Sequence, residues 1–464
     1  MRGFLRMIAG LLAGAALGLA GCQFVSTATD RRETVPPPPM QTPIIFVHGN
    51  GDTAALWHTT IWRFESNGYP PDRLQAVDFA YPQARNDDAT PMVGRSDTGD
   101  QMRQLAAFVA RVRQSTGADK VALVANSRGA NTVRNFIRNG GGAAVVSHAV
   151  LAGGVNHGVY ISQTFNPGSE FNGAGPFMSA LNAPYPDGGE VTPGVRWMTL
   201  RSDNFDKYAQ PDGRFVGQPA MQTGITFDGP SLRGTDNVVL PGADHRETAF
   251  GPAAFARMYQ FITGTPAFRT SIEPTDPVVL EGKVTGFLNG APTNLPLVGA
   301  KVTVYRVAAD TGARMRVAPH QKTIGPDGLW GPLTVHQGAT LEFVIEADGY
   351  PVTHIYRSPF PRSSSVIHLR PAPPGSLTAD DTAAGSAVVI TRPRGYFGVG
   401  RDTFLIDGRV PPGVTDGVPG VSVARLRMPA APLRSVATRF NDERITVMNW
   451  PASERRIVYA EFHH

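Results

Sequence analysis

The chain has 464 residues, 41% of them hydrophobic, with 51 glycines and 40 prolines, enough for two or three cores joined by many turns. Its formal charge is +5 with no concentrated Lys/Arg block, which excludes the electrostatic footprint of a nucleic-acid binder. The single cysteine, Cys22, excludes an intramolecular disulfide and any metal site built on several cysteines, and the sequence implies neither a metal nor an organic cofactor.

The first predicted element is a signal segment. Arg2 and Arg6 precede an apolar stretch from Met7 to Ala20, too short for a comfortable membrane span. The ending Leu19-Ala20-Gly21-Cys22 resembles the bacterial lipobox, in which the cysteine is lipidated and becomes the new N-terminus. That resemblance implies removal of residues 1–21, export, and attachment of Cys22 to an outer membrane or cell surface by acyl chains. Residues 22–42 then read as a polar, proline-rich tether.

From residue 43 to 265, short apolar runs alternate with helical patterns. The predicted strands are 44–47, 74–81, 120–125, 148–153, 195–200 and 237–242. The predicted helices are 100–114, 128–139 and 251–264, the first with Met102, Leu105, Phe108, Val109 and Val112 on one face. Near-continuous apolar strands between helices predict a parallel sheet covered on both sides, an α/β domain. After Pro266 the helical patterns vanish and short β-rich runs between Gly/Pro turns predict one or two antiparallel β domains. These occupy 267–371, read as sandwich-like, and 385–464, a second module or a continuation, with 372–384 as a linker.

Four places in this order carry chemistry. In VALVANSRGA (121–130), Ser127 stands where a strand ends and a helix begins. It is either a nucleophile on a sharp strand-to-helix elbow, with the first glycine of G-x-S-x-G replaced by Ala125, or a helix N-cap. FVHGNGD (46–52) follows the first strand and could aim backbone N–H groups at a developing oxyanion; Asn50 and Arg128 are the candidate donors. PGADHRETAF (241–250) places His245 after the last strand, as general base and acid. The loop after strand 195–200 offers Asp203 and Asp206 as the acid that orients the histidine, and Asp206 is preferred for its D-K-Y-A context.

Together these motifs resemble the α/β-hydrolase fold, and within it true lipases. Small bacillar lipases also carry A-x-S-x-G, and their G-G-x-N stretch is matched by Gly153-Gly154-Val155-Asn156. A second resemblance is to an archaeal lipase that joins a hydrolase domain to a C-terminal lipid-binding β domain. It rests on SNGYPPDRLQ (66–75), TGADKVALVANSRG (116–129), FITGTP (261–266) and HIYRSPFPR (354–362). Two departures stand out. Gly153 occupies the position of that relative's acid, and Arg128 stands where these lipases usually have methionine.

The resemblance implies a serine carboxylic-ester hydrolase, with a lipid or ester as substrate and a membrane surface as partner. A polyester depolymerase is a variant of that reading. A surface binding protein with a relict hydrolase domain is the alternative from another class. The long Gly/Pro-rich connection 155–194 is read as a pocket border and lid, with Phe165, Phe171, Phe177 and Met178 as lining, or else as a plain surface insertion.

Overall fold

The computed structural model describes residues 41–464 except residue 415. The signal segment, Cys22 and nearly all of the tether lie outside the described residues. In the first half, β1 (Ile44–Val47), β2 (Leu74–Val77), β3 (Val121–Asn126), β4 (Val146–Ala152), β5 (Arg196–Ser202) and β6 (Asp236–Leu240) form one sheet in the order β2-β1-β3-β4-β5-β6. Every neighbouring pair is parallel. The helices are α1 (His58–Ser66), α2 (Thr98–Thr116), α3 (Arg128–Asn139), α4 (Pro176–Leu181), α5 (Glu247–Phe250) and α6 (Pro252–Thr263).

Strand alternation divides the core into two layers. Ile44, Phe46 and Val124 pack on one face with Phe255 and Met258 of α6; Ile45, Val47 and Leu123 pack on the other with Leu105 and Val109 of α2 and Val133 of α3. Helix α2 starts at a capping box of Asp97 and Asp100 and stops at Gly117 in the left-handed conformation, φ +67°. Its buried face is Leu105, Val109 and Val112, with Met102 and Phe108 partly buried beside them.

Helix α1 carries Ile61 and Phe64 into the core but mixes them with buried polar residues. His58, Thr59, Thr60 and Arg63 are buried in it. Thr60 and Arg63 are tolerated because they are bonded: Thr60 Oγ1 donates to the Ala249 carbonyl at 3.1 Å, and Arg63 donates to the carbonyls of Thr270 and Phe250 at 2.9 and 2.7 Å.

The second half contains β7 (Val278–Leu280), β8 (Thr285–Leu288), β9 (Ala291–Pro296), β10 (Lys301–Val307), β11 (His320–Thr323), β12 (Leu333–Val335), β13 (Thr340–Glu346), β14 (Val352–Arg357), α7 (Ala379–Ala384), β15 (Ser386–Thr391), β16 (Phe404–Ile406), β17 (Val423–Met428), β18 (Ser435–Phe440), β19 (Glu443–Met448) and β20 (Arg456–Glu461). A seven-stranded sheet runs β11-β10-β13-β14-β20-β15-β17. It is antiparallel except where β20 lies parallel to both β14 and β15. The stretches 267–371 and 385–464 therefore share one sheet, joined by β20. The stretch 372–384, read as a linker, contains α7, which a capping box of Thr378 and Asp381 starts; buried Asp381 also pairs with Arg425 and Arg427 of β17.

Residues 41–464 form one compact unit. The two halves meet through polar contacts as well as packing. Buried Asp78 takes Lys283 at 3.0 Å and His368 at 2.8 Å, and Trp62 Nε1 donates to the Ser363 carbonyl at 2.9 Å. Ending the chain at residue 374 removes β15 and β20 and leaves an open edge on β14. Such a protein should aggregate or lose its cooperative thermal transition. Gel filtration and thermal melting check this, and a monodisperse product melting like the full chain would show that β20 is dispensable.

Candidate active site

The loops that leave the C-terminal ends of the parallel strands converge, as open α/β sheets favour. Asn50 follows β1, Ser127 follows β3, Gly153 follows β4, Asp206 follows β5 and His245 follows β6. Ser127 holds φ +54° and ψ −122°, backbone space that a residue with a Cβ rarely occupies. It stands at the N-cap position of α3, yet its side chain makes no capping bond. The turn is tight on its far side too. A Cβ at Gly129 would sit 2.7 Å from the carbonyl oxygens of both Val47 and His48. Ala125, by contrast, is an interior strand residue opposite Val47 and needs no glycine.

His245 Nδ1 lies 2.9 Å from Asp206 Oδ2, and Asp206 Oδ1 accepts the Tyr208 N–H at 2.8 Å. Both carboxylate oxygens are thus engaged, and Tyr208 packs edge-on against the imidazole at 4.7 Å between ring centres. The other ring nitrogen, Nε2, is buried without a hydrogen-bond partner among the described residues. Asp203 is turned away. Its carboxylate accepts from Gly242 N at 3.0 Å and Phe205 N at 3.2 Å, tying β5's exit to the turn after β6. No acid could replace Gly153 either, because a Cβ there would stand 2.7 Å from the His245 carbonyl oxygen.

A cavity of about 280 Å³ opens over Ser127 and His245, with Asn50 at its rim. Among the described residues no acceptor takes the backbone N–H of Asn50 or Arg128. His48 is a brace. Its Nε2 accepts from Phe79 N at 3.2 Å, which leaves Nδ1–H to donate to the Gly49 carbonyl at 2.9 Å. Burial lowers its pKa. The Asn50 side chain locks the same loop by accepting the Ala84 N–H at 2.8 Å.

Arg128 finds its partner in the 155–194 segment. Its side chain is 1% exposed; Nε meets Glu170 Oε1 at 2.6 Å, while the other nitrogens donate to Pro82 O, Ser96 O and Ser96 Oγ at 2.8–3.0 Å. Burial pushes the Glu170 carboxyl upward and the Arg128 guanidinium pulls it back. Phe165 and Phe171 line the cavity, together with Val155 and Val159. Phe177 and Met178 do not; Met178 is wholly buried on α4.

Some site-shaping residues left no sequence signal. Asn126 donates to the Ala152 carbonyl at 3.0 Å and the His245 carbonyl at 3.4 Å, and Tyr396 of the β region lines the cavity. No group of three or more His, Cys, Asp or Glu side chains suited to hold a metal occurs among the described residues.

Residues 41–176 match the lipase (class 2) family, and residues 276–374 match the lipase C-terminal domain. This chain is an α/β-hydrolase lipase. As such it is a carboxylic-ester hydrolase with a C-terminal lipase domain. In solved structures, the lipase is similar to a Bacillus licheniformis lipase in its propeptide form, at 14% identity and TM-score 0.37 over 89% of this chain and 94% of that one. It is similar to Aspergillus fumigatus lipase B at 12% identity and TM-score 0.36, over 50% of this chain and about half (55%) of that one. A Legionella pneumophila phospholipase matches at 14% identity and TM-score 0.31 over 71% of this chain and 94% of its own.

The Arg128–Glu170 pair yields a test of this lipase. Arg128→Met leaves a carboxylate buried without its partner, which costs about 3–5 kcal/mol. Arg128→Met/Glu170→Gln should recover most of that loss in urea unfolding, and equal loss in both variants would assign the cost to packing alone.

Proposed function

We propose that this lipase hydrolyses esters through an acyl-enzyme formed on Ser127, with His245 as base and acid and Asp206 as its orienting partner. The observation that carries the reading is the state of His245. Asp206 holds Nδ1, which leaves Nε2 as the free nitrogen, in the cavity that also presents the uncapped hydroxyl of Ser127. In this mechanism Nε2 takes the Ser127 proton as Oγ adds to the ester carbonyl. The Asn50 and Arg128 N–H groups stabilise the oxyanion; buried Arg128, held on four sides, keeps its own amide fixed for that purpose. His245 then gives the proton to the leaving alcohol, and water releases the acid by the same steps in reverse.

The apolar wall of Val155, Val159, Phe165 and Phe171 suits an acyl chain. At about 280 Å³ the cavity is near the lower limit of small-ligand pockets, about 300–1,000 Å³. Long acyl chains therefore need the exposed tip at 161–168 to give way, while Glu170 stays anchored on Arg128. Export and lipid attachment through Cys22 complete the proposal and place the enzyme at a membrane surface.

Hydrolysis of p-nitrophenyl esters of graded chain length tests the chemistry. Ser127→Ala and Asp206→Asn should each lower kcat by about 10³-fold or more, whereas Asp203→Asn should act mainly on stability. An unchanged rate in Ser127→Ala would sink the mechanism. In the same series, Phe165→Ala/Phe171→Ala should weaken long-chain more than short-chain hydrolysis, and equal losses would remove the acyl role from that wall. For the anchor, Cys22→Ser should move the enzyme from the membrane fraction to the soluble fraction of the producing cells; unchanged fractionation would rule the lipid out.

A further inference from the structure

The β region enters the catalytic centre at the histidine turn, through residues that lie beyond both family matches. His245 is flanked by Asp244, which is wholly buried, and by Glu247, the first residue of α5. Asp244 Oδ1 closes the turn locally by accepting the N–H groups of Arg246 and Glu247 at 2.8 and 2.9 Å. Its other oxygen is taken by the β region: Arg392 Nη1 and the Tyr396 N–H donate to Oδ2, each at 2.8 Å. Arg392 Nη2 reaches Glu247 Oε1 at 2.5 Å, and Arg401 Nη1 reaches Glu247 Oε2 at 2.7 Å and the Gly242 carbonyl at 3.0 Å. The two arginines are themselves fixed, since both donate to the Tyr396 carbonyl.

The turn is thus gripped before and after the histidine. Asp244 is a buried carboxylate and Glu247 a partly buried one beside it, and burial, then the charge of Asp244, pushes the Glu247 carboxyl up. Without the guanidiniums of Arg392 and Arg401 the two acids would repel each other across the short turn that carries His245. Structural arginines that merely glue two domains would have no reason to converge on this one turn. We propose that Arg392 and Arg401 are positioning residues for His245: the β region gathers the two acids that flank it and so sets where the imidazole stands. The proposal rests on His245 being the base, and it makes the last β strands and their loops a part of the catalytic apparatus.

The test uses the full chain and p-nitrophenyl butyrate, with a fluorophosphonate to count competent Ser127 sites and thermal melting to report the fold. Arg401 is chosen because it is the more exposed of the pair, at 16%. Arg401→Ala should lower kcat per competent site by about 10- to 100-fold and leave KM within about threefold. Arg401→Lys should restore part of the rate. Glu247→Gln placed in the Arg401→Ala background should also restore part of it, because it removes the repulsion that displaces the turn. A purely structural arginine would lower the number of competent sites, not the rate of each. If Arg401→Ala yields no folded protein, Arg401→Lys and Arg401→Lys/Glu247→Gln carry the same comparison. Wild-type kcat per site in a folded Arg401 variant, or no recovery from Glu247→Gln, overturns the clamp. A Ser127→Ala control that keeps its rate would instead overturn the underlying mechanism, so the two failures are separable.

Discussion

Everything in the catalytic half is arranged around the closeness of α3 to β1. The helix that follows Ser127 approaches the strand end so tightly that one added carbon at Gly129 would meet two backbone oxygens. That approach puts Ser127 into strained backbone, which persists only because the surrounding structure over-determines it. It also brings the start of α3 against the loop after β1, which carries Asn50. The strain, the hydroxyl and the two free amides are consequences of a single packing decision.

Such strain has to be held, and here buried charge holds it. Arg128 binds the 155–194 segment through Glu170, Asp78 binds the β region through Lys283 and His368, and Asp244 binds it through Arg392. The Arg128–Glu170, His368–Asp78 and Arg392–Asp244 pairs are dehydrated and contribute less net stability than their short distances suggest. What each supplies is register, because a buried acid accepts one arrangement of donors and penalises the rest. The loop carrying Asn50 is braced in the same manner. Asn294 of β9 donates to the Asp52 carbonyl at 2.9 Å and in turn accepts from Arg370 at 2.8 Å. The β region therefore touches the loops after both β1 and β6.

The parallel sheet was legible because its strands are continuous apolar runs and α2 repeats at helical spacing; predicted and observed strands differ by a few residues at their ends, and 78–81 are not strand. Helix α1 was not legible, since its buried Trp62 and Phe64 are mixed with polar residues such as Arg63, which makes sense only beside Thr270 and Phe250. At the site, position in the chain singled out Ser127 and His245, and the D-K-Y-A context favoured Asp206 over Asp203, while only the structure shows where each carboxylate points. Arg128 stood out as a departure from the usual methionine but its partner could not be named, because Glu170 lies forty-two residues further on. Arg392 and Arg401 carry no motif at all. Their significance arises from tertiary contact with a turn some 150 residues earlier.

Strand β20 has a consequence for how the molecule is made. It fills the gap between β14 and β15, about a hundred residues after the first of them. The large sheet is therefore incomplete until residue 461 has been synthesised, and its closing contacts with β14 are the most distant in sequence within that sheet, which slows folding. Until β20 arrives, β14 and β15 each present an unpaired strand edge, so this seam is the last part of the sheet to close.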